Sequence, residues 1–382
     1  MFRILLLREY PSLESMFFVA LNRFSETIRD GFELLKGFEI ELAPAGGLHY
    51  SRYKGKSASD LERIGILPFN MGEGRFDSHG KGTSDCSMDI ARKFYDFLTP
   101  RPWMQGMYDL VAANDKHGGA ISKTSANRNI RESTMGLLGK HRQHPMIGIN
   151  FCVRALVACF KLAKAGQKHD DPFGEAGLRT AVEVNDAEWL GEFTTRFNEG
   201  LDFMVAEFTR AKEDLKNGAR VLTGKADAPD GPDDIAVFCP ALKRDVHVGV
   251  FKSDSIKSGA AARSEGWEVA IIVNSGGKVN IFTQDPKVNK WLRKRFDLRK
   301  IAGTIRMEEC RIRKIALPLE DREKIGTVAD AIWYLPEFLN QLFNTSTGND
   351  ERPATKIPLS TIVLLVKGTL PKCGLIDNPH KG

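Results

Sequence analysis

The chain has 382 residues, of which 42% are hydrophobic and 27% are charged, and its formal net charge is +6 at pH 7. This is globular composition, the length favours two domains, and a chain this long can bury a core without disulfides. No run approaches the ~20 apolar residues that cross a bilayer. Six scattered cysteines without a Cys-x-x-Cys pair indicate reduced thiols. These features predict a cytoplasmic protein without membrane contact, and the mild positive charge permits an anionic partner without requiring one.

The first part of the chain has the pattern of an α/β fold. The apolar run at 2–7 predicts a strand that is covered on both faces. Ser12 then predicts a helix N-cap, and further strands are expected at 38–42 and 64–69. Strand, helix, strand, strand in this order predicts a parallel sheet with helices on its faces. In such sheets, ligands bind beyond the carboxyl ends of the strands.

The rest of the chain divides into a helical part and a second α/β part. Apolar spacing predicts helices at 88–98, 151–163 and 188–217. A stretch rich in Pro, Gly and Asp at 226–234 predicts a domain boundary. We therefore expect an N-terminal domain over 1–225, whose second half (about 120–220) is mainly helical, and a smaller C-terminal α/β domain over 235–382.

Two features of the C-terminal domain bear on ligand binding. Ser275, Gly276 and Gly277 predict a hairpin between strand-like runs at 269–273 and 278–283. The stretch 287–313 is dense in lysine and arginine, and it also contains Trp291 and Phe296. A solvated helix face and a nucleic-acid surface both explain such a run.

Two loops of the N-terminal domain carry acid and histidine residues. Asp77 and His79 lie in a glycine-flanked loop after the third strand, and Asp115 and His117 repeat the same acid-x-histidine spacing. Carboxylates and imidazoles together suit Mn²⁺, Fe²⁺ or Zn²⁺. The alternative is structural, with Asp77 accepting backbone hydrogen bonds in its own turn and His79 packing.

The order of these segments resembles the DHH phosphoesterase superfamily over roughly residues 3–120. The resemblance rests on context around the expected motifs: Pro11, Leu13, the Gly72-x-Gly74 turn, Phe76-Asp77, His79-Gly80 and Asn114-Asp115. It implies a phosphoesterase domain that binds two divalent metals and a small C-terminal domain that grips the substrate, often through a glycine-rich loop and basic side chains.

The departures from the family pattern fall on its metal ligands. Arg8 stands where the family has its first histidine, and Ser12 and Glu14 replace two aspartates. Asn70 replaces the aspartate that bridges both metals, and Ser78 replaces the first histidine of Asp-His-His. The other family positions that keep a ligand are Asp77, His79 and Asp115.

These replacements change the charge of the expected site. Two divalent ions close together repel each other and need several carboxylates, above all a bridging one. Asn70 supplies no charge, and Arg8 places a permanent cation where a metal would sit. We therefore expect the usual two-metal site to be largely lost.

The resemblance still implies roles for the residues that remain. The catalytic candidates are Asp77, His79 and Asp115. A single Mn²⁺ or other divalent ion, if any binds, would be held by Glu14 together with those three side chains. Phosphate would be held by Arg8, where a guanidinium can make bidentate contacts, and by His117, Gly276 and Gly277.

Three functions remain open at this stage. The first is a pseudoenzyme that binds the phosphates of a nucleotide or of single-stranded nucleic acid with little hydrolysis. The second is an active Mn-dependent phosphodiesterase or exonuclease with a rearranged metal site. The third is a non-catalytic interaction protein that presents the helical region at about 120–220 to a partner.

Overall fold

The chain has a mixed α/β fold that divides into two compact units, Met1–Met204 and Val205–Gly382. None of its described helices is long and apolar enough to cross a membrane. The computed structural model describes residues 2–8, 11–28, 39–43, 48, 51–71, 74–77, 85–94, 105, 108–109, 111–112, 125–164, 187–216, 233–284, 294–328, 331–335, 339–344 and 353–377.

A three-stranded parallel sheet forms the centre of the first unit. Strand β1 (Ile4–Arg8) lies between β2 (Glu39–Ala43) and β3 (Ile66–Pro68), and both neighbours run parallel to it. The three central leucines of β1 are fully buried, as expected for a strand covered on both faces. The parallel sheet predicted from the sequence is confirmed.

Helices pack around this sheet. In chain order the helices that begin in the first unit are α1 (Leu13–Ile28), α2 (Ala58–Arg63), α3 (Ser87–Phe94), α4 (Ser125–Lys140), α5 (Met146–Lys164) and α6 (Ala187–Lys216). Ser12 caps α1 as predicted, because its Oγ accepts a bond from the amide of Ser15 at 3.1 Å. Helix α2 was not predicted from the sequence, since its six residues are too few to show a period.

Helices α4 and α6 approach each other closely at two glycines. A Cβ on Gly136 would lie 1.9 Å from the carbonyl oxygen of Gly200, and one on Gly200 would lie 2.0 Å from that of Ser133. The hydroxyl of Ser133 donates to the carbonyl of Phe197 at 2.8 Å across the same crossing. Only residues without a side chain permit this backbone contact.

The second unit is built on a seven-stranded mixed sheet. Its strand order is β4-β5-β6-β7-β11-β10-β9, and β8 pairs with β12 in a separate ribbon. The strands are β4 (Asp233–Cys239), β5 (Arg244–Lys252), β6 (Val269–Val273), β7 (Val279–Thr283), β8 (Lys294–Phe296), β9 (Gly326–Val328), β10 (Ala331–Leu335), β11 (Gln341–Phe343) and β12 (Leu375–Asp377). The helices are α7 (Ser258–Ser264), α8 (Arg299–Arg313) and α9 (Leu359–Thr369).

The connection between β6 and β7 is a tight hairpin, as the sequence predicts. The amide of Asn274 donates to the carbonyl of Lys278 at 3.0 Å, and the amide of Gly277 donates to the carbonyl of Asn274 at the same distance. Gly277 has φ +72°, a left-handed value that favours glycine.

The division between the units falls inside α6. The last turns of this helix place Ala211 and Leu215 in a buried cluster with Phe251 and other residues of the second unit. The boundary predicted from composition lies later, at 226–234, and residues 226–232 are outside the described part. The two predicted domain ranges therefore stay predictions.

Candidate functional site

The carboxyl edge of the parallel sheet carries the residues singled out in the sequence. Arg8 is the last residue of the central strand β1, Glu14 is in the first turn of α1, and Asn70 follows β3. Because the strands are parallel, all three chain segments leave the sheet at the same edge.

An aromatic cluster fixes α1 against the loop after β3. The rings of Phe18 and Phe69 stack with centroids 4.1 Å apart, and Phe76 lies 6.1 Å from Phe69 and 6.5 Å from Phe18. All three rings are fully buried. Their packing holds the start of α1 beside the loop, so that side chains from both can meet.

The loop after β3 turns back on itself. Asn70 has φ +55°, a left-handed conformation that asparagine tolerates better than most residues. The backbone amide of Asn70 donates to the carbonyl of Phe76 at 3.3 Å, and the backbone amide of Asp77 donates to the carbonyl of Gly74 at 3.1 Å. This closure leaves Asp77 only 3% exposed, so it is a buried carboxyl group rather than a surface acid.

The carboxylate of Glu14 is buried and hydrogen-bonded at both oxygens. Its Oε1 accepts a bond from the backbone amide of Met88 at 2.5 Å, and its Oε2 accepts one from Asn70 Nδ2 at 3.3 Å. The side chain is 1% exposed. Charge-assisted bonds of this kind stabilise a carboxylate away from water.

Asn70 is the centre of this polar network. Its Nδ2 also lies 3.2 Å from Ser12 Oγ, and its Oδ1 accepts a bond from the hydroxyl of Ser87 at 3.0 Å. The Ser87 donor and the Glu14 acceptor fix the amide orientation, with nitrogen towards Glu14. Asn70 therefore presents a hydrogen-bond donor, not a carboxylate, to Glu14.

Arg8 is held differently. It is half-buried, and among the described residues its Nε has no hydrogen-bond acceptor although that atom is shielded from solvent. No described carboxylate forms an ion pair with its guanidinium. A buried N–H without an acceptor costs about 1–3 kcal/mol, and more on a charged group, so this group calls for a partner.

The structure joins the predicted metal ligand Glu14 to Asn70, which was not among the predicted ligands, so the predicted site stays a prediction. Glu14 and Asn70 are in contact, and Asp77 closes the same loop that begins at Asn70. His79, Asp115 and His117 lie outside the described residues, as does Ser78. Within the described part of the chain, no group of three or more His, Cys, Asp or Glu side chains is placed to hold a metal ion.

Gly276 and Gly277 belong to the second unit and are exposed in its hairpin. The amide of Gly277 is used within the turn, and the neighbouring Ser275 amide donates to Asp254 Oδ1 at 2.8 Å. The phosphate-binding role predicted for these two glycines stays a prediction.

The basic stretch is less uniform than its sequence indicates. Of its described arginines, Arg306 is fully buried and donates to backbone carbonyls, including that of Lys324 at 2.7 Å. Three others form ion pairs: Arg299 with Asp297, Arg311 with Glu308 and Arg313 with Glu309. Counting charge along the chain misses such partners, so the described part of this stretch is not a continuous cationic face.

Sequence reasoning missed Ser87 and Met88 as parts of the site. They lie in the first turn of α3, where Asp89 Oδ2 accepts a bond from the amide of Cys86 at 3.1 Å. The helix itself was predicted from the sequence, with its start at residue 88 instead of 87. The contact of the Met88 amide with Glu14, 74 positions away, could not be predicted from local sequence.

Comparisons of this chain with family models, with curated proteins and with solved structures gave no match. The resemblance to the DHH superfamily therefore rests on the residues given above.

Proposed function

We propose that this chain is a DHH-like phosphoesterase-fold protein that binds the phosphates of a nucleotide or of single-stranded nucleic acid, with its two-metal hydrolytic site largely lost. Its first unit corresponds in this proposal to the phosphoesterase domain, and its second unit to the smaller substrate-binding domain. The ligand phosphate sits at the carboxyl edge of the parallel sheet.

The observation that carries the proposal is the guanidinium of Arg8, which has no acidic partner among the residues that the structure describes. It lies at the end of the central strand, where parallel sheets bind ligands, and its Nε lacks an acceptor among the described residues. A phosphate oxygen would supply that acceptor, and the planar guanidinium can hold two such oxygens at once.

The same edge is poorly suited to a pair of metal ions. Asn70 directs an N–H donor, not a carboxylate, at Glu14, and both oxygens of Glu14 already accept hydrogen bonds. These bonds compete with a metal ion for the electron pairs of the Glu14 carboxylate. This competition, added to the fixed charge of Arg8, favours an anion over a cation.

The test is a binding titration of the full chain with AMP and with a short fluorescein-labelled oligothymidylate. Arg8→Leu should weaken both affinities at least tenfold, about 1.4 kcal/mol, because it removes the charged donor. Arg3→Leu is the matched control, since Arg3 is exposed and precedes the opposite end of the same strand. Oligonucleotide affinity should also fall with rising salt as counterions are released.

Equal affinity of the Arg8→Leu and wild-type chains would overturn the proposal. So would an equal loss in Arg3→Leu, because that result would make binding a matter of overall charge. Circular dichroism of each variant separates loss of binding from loss of fold.

A single-metal phosphodiesterase is the second candidate, favoured by the burial of two carboxyl groups, Glu14 and Asp77, in segments that leave one sheet edge. Mn²⁺ would lower the pKa of a bound water and polarise the phosphate. This candidate requires Mn²⁺-dependent hydrolysis of bis(p-nitrophenyl) phosphate that disappears in Asp77→Asn. The phosphate-binding proposal requires that hydrolysis stay at background while Arg8-dependent binding persists.

A further inference from the structure

A groove on the second unit runs between α8 and the turn that contains the short helix Leu319–Asp321. Its volume is about 450 Å³. Residues of α8, of the turn, of the end of α9 and of the chain after it line the groove: Lys300, Gly303, Thr304, Met307, Leu319, Glu320, Arg322, Glu323, Thr369 and Lys372.

One face of α8 forms the first wall of this α8 groove. Lys300, Thr304 and Met307 are spaced so that they share a helix face. Gly303 lies on the same face, and a Cβ there would come within 3.1 Å of Glu323 Cγ and 3.5 Å of the carbonyl oxygen of Arg322. The missing side chain therefore lets the turn approach the helix closely at the base of the groove.

The groove has an apolar part that folding leaves uncovered. Leu319 is 72% exposed and Met307 is 38% exposed, whereas the other apolar residues of α8 are mostly buried. An exposed leucine alone needs no explanation. Two large apolar side chains that line the same concave surface provide a place for an apolar group of a ligand.

The groove also holds three cations without partners. Within the described residues, Lys300, Arg322 and Lys372 form no ion pair, and Arg322 Nε is buried without an acceptor. The backbone of Arg322 is fixed, because its carbonyl accepts a bond from Arg306 Nη1 at 3.2 Å. The arginines of α8 itself are paired or buried. Among the described residues of this region, the cations without an acidic partner include the three that line the groove.

The groove lining also contains two acids, Glu320 and Glu323. Three cations against two acids leave the lining with a formal charge of +1. Helix α8 also has no acid in its first turn, where Lys300 stands, so its positive end adds to the field.

We propose that the α8 groove binds a small organic anion that carries an apolar ring, with a carboxylate or a phosphate monoester as its charged group. The volume lies in the range of small-molecule sites, about 300–1,000 Å³. Lys300, Arg322 and Lys372 bind the anionic end, and Met307 and Leu319 contact the ring. All residues of this site belong to the second unit, so it is distinct from the Arg8 site and does not depend on it.

The experiment is a fluorescence titration of the full chain with 1-naphthyl phosphate, which combines a ring with a phosphate. Naphthoate distinguishes carboxylate from phosphate as the preferred charge. Inorganic phosphate and 1-naphthol, which compete for the same site, each lack one half of the ligand and should bind at least tenfold more weakly. Displacement of the probe by 1-naphthol as readily as by naphthoate would overturn the proposal, because charge would then have no role.

Variants locate the site. Lys300→Glu and Lys372→Glu should each weaken 1-naphthyl phosphate at least tenfold, and both lysines are exposed, so neither change disturbs a core. Lys367→Glu is the matched control, because Lys367 is an exposed lysine of α9 outside the groove. These titrations are repeated in the Arg8→Leu chain, which lacks the proposed phosphate site of the first unit, and both groove substitutions should weaken the probe there as well.

Two results would overturn the assignment: no loss of affinity in either groove variant of the Arg8→Leu chain, or an equal loss in Lys367→Glu. Neither result bears on the Arg8-dependent binding of AMP, so failure of this proposal is distinguishable from failure of the phosphate-binding function.

Discussion

At the scale of single residues, Asn70 has two roles: it adopts the left-handed backbone of the loop after β3, and its side chain donates to the buried carboxylate of Glu14. Its left-handed φ and its contacts to Glu14, Ser12 and Ser87 all depend on one short amide side chain. An aspartate here would place a second negative charge beside Glu14, whereas asparagine donates to it. Asn70 therefore supplies the buried carboxylate of Glu14 with a hydrogen-bond donor and adds no charge beside it.

Asn70→Ala should lower the free energy of unfolding by about 2–5 kcal/mol. Roughly 1–2 kcal/mol comes from alanine in the left-handed region, and about 1–3 kcal/mol from leaving buried polar groups without partners. Asn70→Gly is the control, because glycine adopts the left-handed conformation without strain but still loses the side-chain hydrogen bonds. Urea unfolding measures the stability of both variants. Equal stabilities would show that the left-handed backbone costs alanine nothing.

The sequence could predict some of this site and not the rest. Glu14 and Asn70 follow a predicted strand or helix start, so their meeting at one sheet edge was foreseeable. The amide of Met88 as a donor to Glu14 was not, because it depends on where a distant helix begins. Nor could the sequence show that Arg306 is buried among carbonyls while Lys300 is exposed. Both are basic residues of the same stretch, and only the fold distinguishes them.

The buried thiols allow a second prediction at this scale. Burial raises the pKa of Cys152 to about 12, and burial together with Asp297 raises that of Cys373 to about 12. At pH 8 only about one thiol in 10⁴ would then be ionised, against roughly a quarter in the unfolded chain. Native protein should resist iodoacetamide at both positions and react rapidly once unfolded, as measured by peptide mass spectrometry. Fast labelling of native Cys152 would contradict its burial.

At the scale of elements, the crossing of α4 and α6 depends on glycine. Gly200→Ala should destabilise the chain by about 3 kcal/mol or more, because its Cβ would overlap the backbone of Ser133 and force the helices apart. Gly191→Ala is the matched control on the same helix, with no atom within 4 Å of the added Cβ. It should stabilise by about 0.5–1 kcal/mol through helix propensity. Thermal unfolding measures the stability of both variants. If the two substitutions changed the stability in the same direction, the close approach of the helices would be refuted.

A charged cluster links the same two helical regions. Glu199 of α6 accepts hydrogen bonds from His141 at 2.6 Å and from Arg196 at 2.9 Å, and it lies 3.2 Å from the ammonium of Lys140. Burial alone would raise the pKa of this carboxyl, but the bonds from His141, Arg196 and Lys140 outweigh it and lower the pKa.

The sign of the pH effect follows from that shift. A carboxyl whose pKa is lower in the folded state stabilises the fold above its unfolded value, about 4.3, and loses this contribution as the pH falls below it. Glu199→Gln should therefore be less stable than wild type at pH 6, and the difference should shrink as the pH approaches 3. Unfolding temperatures across this range test it. A difference that stays constant with pH would mean that the charge of Glu199 contributes nothing.

Element types were easier to predict than element partners. The parallel sheet, the long α6 and the 275–277 hairpin follow from apolar period and glycine position, which are local signals. The order of the second sheet, with β11 between β7 and β10, places strands together that are distant in sequence. Helix α2 and the three-residue strands β8, β9 and β12 are too short for any period to show.

At the scale of the whole molecule, the buried apolar clusters of the described residues each fall inside one unit. Those built on β1 to β3 and their helices contain no residue beyond Met204, and those around β4 to β12 contain none before it. A packing defect should therefore be felt mainly in the unit that contains it, since distant sites without shared partners act independently.

Glu309 offers the sharpest test of that independence. Its carboxylate is fully buried and accepts bonds from Arg313 at 2.6 Å, from the Lys356 amide at 3.0 Å, from Trp333 Nε1 at 3.3 Å and from the Thr355 hydroxyl. Breaking such a buried ionic network by removing one partner costs about 3–5 kcal/mol.

Glu309→Ala should therefore raise amide hydrogen exchange in β9, β10 and the 353–357 segment by orders of magnitude, and leave β1 unchanged. Glu308→Ala is the neighbouring control. Among the described residues the carboxylate of Glu308 pairs with the exposed Arg311 alone, so this change should cost less than about 1 kcal/mol. Exchange measured by mass spectrometry on the full chain reads both units in one sample. Equal acceleration in β1 and in β10 would show that the two cores unfold together, and each unit would then have to be treated as part of a single cooperative fold.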